Sequence, residues 1–179
     1  MSTSDRTVLV AIKDEVVIIK LNGRADVTVS ASFKKLVIEL RQRGFGRFMI
    51  ELSDCLNMDS TFLGVLANQG VQLGKAGAPG DPKAISLVGS NDRIKGLLDN
   101  LGVLTEFELV DESLDAHLSF ETVDPRGAKP DRAEITRTSL EAHKVLMDLN
   151  PENVSKFKEV TKFLEEDLKA LEGGSGEGE

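Results

Sequence analysis

RFMIELSDCLNMDSTFLG, residues 47–64, is the stretch that decides the fold. Its first six residues form a nearly continuous apolar run, the composition of a parallel strand covered on both faces. A short polar loop, residues 53–59, then leads into a helix predicted over about 60–75. On a helical wheel Phe62, Leu63, Leu66, Gly70 and Leu73 share one face, which is expected to meet the core. Thr61, Gly64, Asn68 and Gln72 fall on the opposite, polar face, with Ser60 at its border.

Upstream, TVLVAI (7–12) and VVIIKL (16–21) read as two strands joined by Lys13-Asp14-Glu15, a connection of hairpin length. Phe33, Leu36, Val37 and Leu40 follow at helical spacing, and Gly44 marks the end of a helix over about 30–43. Downstream, GAPGDP (77–82) is a loop, AISLV (84–88) a strand, and residues 91–101 a helix carrying Ile94, Leu97, Leu98 and Leu101. A strand over 106–110 and a helix over 112–120 complete the series. The order ββαβαβαβα predicts an α/β fold: one mixed β-sheet of about five strands with helices packed on it, the strand at 47–52 lying in its interior.

Residues 1–121 are therefore expected to form one domain. Residues 122–131, with two prolines and a glycine, read as a linker, and 132–172 as a C-terminal helical hairpin. Asp131 with Glu134, and Asn150-Pro151-Glu152, supply its two helix starts. Phe157, Val160, Leu164, Leu168 and Leu171 make an apolar stripe on the second helix. The hairpin is expected to be a separate docking element, binding a second copy or another protein and dispensable for the fold of the first part. Residues 173–179, GGSGEGE, read as a flexible tail.

The 179 residues are 40% hydrophobic and 29% charged, an ordinary globular composition. A net charge of -8 and the lack of a basic stripe argue against nucleic acid. No apolar run is long enough to span a bilayer, so no membrane insertion is expected, and MSTSDRT lacks the layout of a signal peptide. Cys55 is a lone cysteine, which suits a reducing cytoplasm and a small filler role. His117 and His143 have no partners at metal-ligand spacing and read as surface residues. GKAGAPG around Lys75 follows a helix and lacks a Gly-Lys-Ser/Thr ending, so it reads as a turn. No G-x-S-x-G elbow is present, and no cofactor or catalytic site is expected.

The chemistry concentrates at Asn57-Met58-Asp59-Ser60-Thr61-Phe62-Leu63-Gly64. An acid and two hydroxyls sit where a loop becomes a helix. Asp59 or Ser60 there is an ordinary N-cap. The same position also suits a phosphoserine, because free amides and the helix dipole favour an anion. A phosphate adds roughly -1.5 to -2 charge, enough to reverse a protein contact on an exposed patch. Gly64, one turn on, leaves room for a partner.

This pattern resembles the STAS family of anti-sigma factor antagonists. Three features carry the likeness: a hairpin followed by G-x-x-D (Gly23 to Asp26), the buried strand RFMIEL, and the Asp-Ser-Thr turn with Leu63 and Gly64 after it. It covers about residues 7–120. The resemblance implies that Ser60 is the phosphoacceptor, with Thr61 a second candidate. It also implies a partner surface of Asp26, Asp59, Ser60, Thr61, Gly64 and Asn68. Phe62 stands where the family commonly has glycine. The implied partners are a serine kinase that doubles as an anti-sigma factor, bringing its own ATP and magnesium, and a serine phosphatase that resets the switch. Two other expectations are an accessory subunit of a lipid-transport ATPase and an enzyme with Ser60 as nucleophile. Against the last stands the lack of a base near Ser60 in the sequence.

Overall fold

Asp14 and Glu15 reverse the chain with φ of 51° and 66°. Positive φ at both central residues is a two-residue turn whose twist matches the flanking strands. It joins β1 (Thr7–Lys13) to β2 (Val16–Ala25) in antiparallel register, with Lys13 opposite Val16. Val17, Ile19 and Leu21 of β2 are buried. In this computed structural model the described residues are 7–77, 83–112, 114, 117–123 and 130–174.

On its other edge β2 pairs in parallel with β3 (Arg47–Glu51). Then come β5 (Ile85–Val88) and β6 (Glu108–Val110), also parallel. The strand order is β6-β5-β3-β2-β1-β7, so β3 is interior, as its apolar run predicts. Two short strands escape the sequence reading. β4 (Cys55–Met58) lies within the expected loop and pairs in parallel with the far end of β2, after a register shift at Gly23. Gly23 takes a φ of 80° there, a conformation that glycine adopts without penalty. β7 (Glu121–Val123) pairs antiparallel with the outer edge of β1. The sheet thus has seven strands among the described residues, where about five were expected.

The expected helix at 112–120 is not formed in its described part. Residues 117–120 carry no helix, and β7 follows at once. Residues 113, 115 and 116 of that expectation lie outside the described residues. The sheet also takes in Thr122 and Val123, the start of the expected linker; 124–129 lie outside the described residues.

The α-helices among the described residues are α1 (Val27–Gln42), α2 (Ser60–Ala76), α3 (Asp92–Asn100), α4 (Arg132–Leu149) and α5 (Asn153–Gly174). α1 and α2 meet through Phe33 and Phe62, whose rings lie 4.9 Å apart. α4 then lies across α1 and α2, and α5 lies on α4. Ala142 and Leu146 of α4 belong to the same buried cluster as Ile19, Ile50 and Leu66.

The hairpin is therefore not a detached module. Its turn is tied down by Asn153, which is fully buried; its Nδ2 donates to the carbonyls of Leu101 and Leu146, each at 2.8 Å. Lys34–Glu141 and Lys35–Glu134 ion pairs, both 2.8 Å, link α1 to α4. On α5 the apolar stripe splits. Phe157 packs against the core and Leu164, Leu168 and Leu171 are half-buried, whereas Val160 points outward, as does Phe163 beside the stripe, which is 67% exposed. No helix among the described residues is long and apolar enough to cross a membrane.

Candidate functional site

Pairing of β4 with the end of β2 brings two strand-to-helix junctions side by side, with Ala25 opposite Met58. The residues that follow, Asp26 and Asp59, are the N-caps of α1 and α2. Asp26 accepts from the Thr28 amide at 3.0 Å. Asp59 serves both helices: Oδ1 accepts from the Phe62 amide and Oδ2 from the Val27 amide, each at 2.8 Å. A short acid at this position satisfies amides that no helical carbonyl can reach. Burial raises the Asp59 carboxyl above the ordinary carboxylate range. The Phe62 and Val27 amides oppose that rise, the charge of Asp26 adds to it, and His143 opposes it.

Ser60, half-buried, opens α2. Its Oγ lies 2.9 Å from Nε2 of His143. Nδ1 of the same ring lies 2.7 Å from the Ser139 carbonyl oxygen. A carbonyl only accepts, so that contact assigns a proton to Nδ1, and in the neutral ring Nε2 then accepts the Ser60 hydroxyl proton. His143 is 4% exposed and packs edge-on against Phe157, ring centres 4.9 Å apart. The expectation that His143 is a surface residue is therefore wrong. A signal was present: His143 lies three residues from both Leu140 and Leu146, on the buried face of α4.

The rest of the expected polar face is covered too. Residues 61–67 are buried without a break. Thr61 is 5% exposed, its Oγ1 3.0 Å from Ser139 Oγ. Gly64 faces the backbone of Ala142 so closely that a Cβ there would come within 2.4 Å of the Ala142 carbonyl oxygen. Its missing side chain makes room for α4 of its own chain. Asn68 is half-buried, and a void of only about 10 Å³ remains between it, Lys34, Thr138 and Ala142. α2 is enclosed on both sides because the sheet takes one face and α4 the other, where one amphipathic face against solvent was expected.

Elsewhere, burial pushes the Cys55 thiol up to about 11, against backbone hydrogen bonds that lower it. Two larger cavities, of about 490 and 530 Å³, lie away from Ser60. The first sits at the C-terminal end of α2, beside Gly74, Gly77 and Arg47; the second lies beneath the β1–β2 turn. Among the described residues no group of three or more His, Cys, Asp or Glu side chains is placed to hold a metal.

The family model of the STAS domain matches residues 7–117. Among solved structures, one of a Thermotoga maritima protein inferred to be an anti-sigma factor antagonist is 25% identical, with a TM-score of 0.51. That match covers 57% of this chain and 85% of the other. The anti-sigma factor antagonist SpoIIAA in its unphosphorylated form shares the fold at 15% identity and a TM-score of 0.50, over 59% of this chain and 89% of that one. A search of the curated proteins finds no match. The matched family segment ends before α4, the helix that lies over Ser60 and Thr61, and before α5, which packs on α4.

Proposed function

The chain belongs to the STAS domain family, and from that premise we propose that it is a regulatory protein of the anti-sigma factor antagonist type, switched by phosphorylation of Ser60. The observation that carries this reading is the position of Ser60: first residue of α2, next to the capping Asp59, with Asp26 brought alongside by the β2–β4 pairing. Unphosphorylated, the protein binds a serine kinase that doubles as an anti-sigma factor. The kinase transfers the γ-phosphoryl group of its own ATP to Ser60 Oγ; the hydroxyl proton passes to a base and ADP leaves. The added charge of roughly -1.5 to -2 beside Asp26 and Asp59 then opposes the contact, and release follows. A serine phosphatase hydrolyses the ester and resets the switch. The protein acts by binding and has no reaction of its own.

The Ser60–His143 pair supplies the base that a nucleophilic serine needs, yet the larger cavities lie elsewhere and Ser60 is hemmed in by α4. The pair acts as a contact that seats α4. The test is a pull-down from the host's own extract with wild type, Ser60→Ala and Ser60→Asp as baits, followed by incubation of the captured kinase with ATP. Phosphate on Ser60 and loss of the kinase by Ser60→Asp support the reading. Equal capture by all three, or capture of a transport ATPase in place of a kinase, sinks it.

A further inference from the structure

We infer that α4 is a cis-acting cover of the switch: it occupies the face of α2 that a partner must reach, and phosphate on Ser60 is incompatible with α4 in its seat. The inference rests on the reading of Ser60 as the switch residue. It concerns how this chain regulates that site, through the segment beyond the matched family region.

Ser60 is half-buried, and its inner side is occupied by α4. The Ser60 hydroxyl is in hydrogen-bond contact with His143 Nε2 at 2.9 Å. With the Ser60 side chain in this position, a phosphorus atom and three oxygens on Oγ run into the imidazole. Turning the ring aside breaks the 2.7 Å contact of Nδ1 with the Ser139 carbonyl and the packing against Phe157. Gly64 already meets Ala142 at backbone distance, and Thr61 meets Ser139 at 3.0 Å. Close-packed contacts of this kind switch between discrete arrangements and do not deform smoothly. A kinase meets the same obstacle, since Thr61 and Gly64 are beneath α4 and Ser60 is partly so. The chain therefore has a closed state, with α4 seated and Ser60 donating to His143, and an open state, with α4 lifted and Ser60 free. Phosphate stabilises the open state because only that state has room for it.

The test uses the full chain with phosphoserine installed at position 60 during translation, so that no kinase is involved. Hydrogen exchange is read by mass spectrometry. The expected result is at least about tenfold faster exchange of amides in α4 of the phosphoserine protein, with β2, β3 and β5 as protected as in the unmodified chain. Ala142→Leu in the unmodified chain, which places a larger side chain against Gly64, is expected to speed α4 exchange in the same way without touching Ser60. Undiminished protection of α4 with phosphoserine present, with the phosphate held by His143 inside the closed state, overturns the inference. So does a loss of protection that spreads through the sheet, because α4 would then not move as a separate element. Because the phosphate is placed without an enzyme, failure to find a kinase would count against the proposed function and leave this result standing.

Discussion

At the scale of single residues, Asp59 carries more than its place in the motif suggests. It caps α2 through Phe62 and also satisfies the first amide of α1 at Val27. Asp59→Ala strips both, and a loss of about 2 kcal/mol in urea unfolding is expected, while Asp59→Asn, with a single acceptor oxygen, keeps only one of the two contacts. Burial holds the folded-state pKa of Asp59 above its ordinary 3.8. The fold thus favours the protonated form, and this group's contribution is fully present below pH 3.8 and is lost as pH rises through the raised value. Asp59→Asn removes that dependence, so its stability relative to wild type should improve between pH 3.5 and pH 6 by roughly the size of the shift. A constant difference across that range would show that burial is not what sets the carboxyl. Glu15 offers a change in the other direction. It holds a φ of 66° in an exposed turn where glycine is preferred. Glu15→Gly should raise stability by about 0.5–1 kcal/mol, read as a higher urea midpoint with an unchanged slope.

At the scale of elements, the α2–α4 contact is set by one missing side chain. Gly64→Ala is a good helix substitution on propensity alone, favourable by about 1 kcal/mol in an exposed helix. Here its Cβ would collide with the Ala142 carbonyl, and overpacking of about 1–3 kcal/mol outweighs the gain. The expected outcome is net destabilisation, with α4 amides exchanging first. Stabilisation would mean that α4 does not sit tightly on α2. The ion pairs of Lys34 and Lys35 with α4 are surface contacts worth at most about 1 kcal/mol each, so packing is what seats the helix.

At the scale of the whole molecule, the described chain is layered: sheet, then α1 and α2, then α4, then α5. Ending the chain after Val123 would uncover Gly64, Val65 and the surroundings of Leu146, all buried now. Such a fragment is expected to melt earlier than the full chain or to aggregate, which a thermal unfolding scan with light scattering reads. A fragment as stable as the full chain would restore the hairpin to the detached role that its sequence suggested.

Much of this was legible in the chain itself. The hairpin, the interior strand at 47–52, the caps of α2 and α4 and the location of the Asp59-Ser60 junction are set by signals acting within a few residues. These are apolar periodicity, turn chemistry and side chains that satisfy their own helix's amides. β4 and β7 were not legible, because strands of four and three residues carry too little pattern and exist by virtue of the edges they pair with. The cover over Ser60 was decided by tertiary structure alone. Ser60 and His143 are 83 residues apart, and Thr61 and Ser139 are 78 apart. No local rule reports which surface an amphipathic helix will meet. The polar side of α2 reads as solvent-facing until a second helix, with its own small residues and a histidine, is folded back upon it.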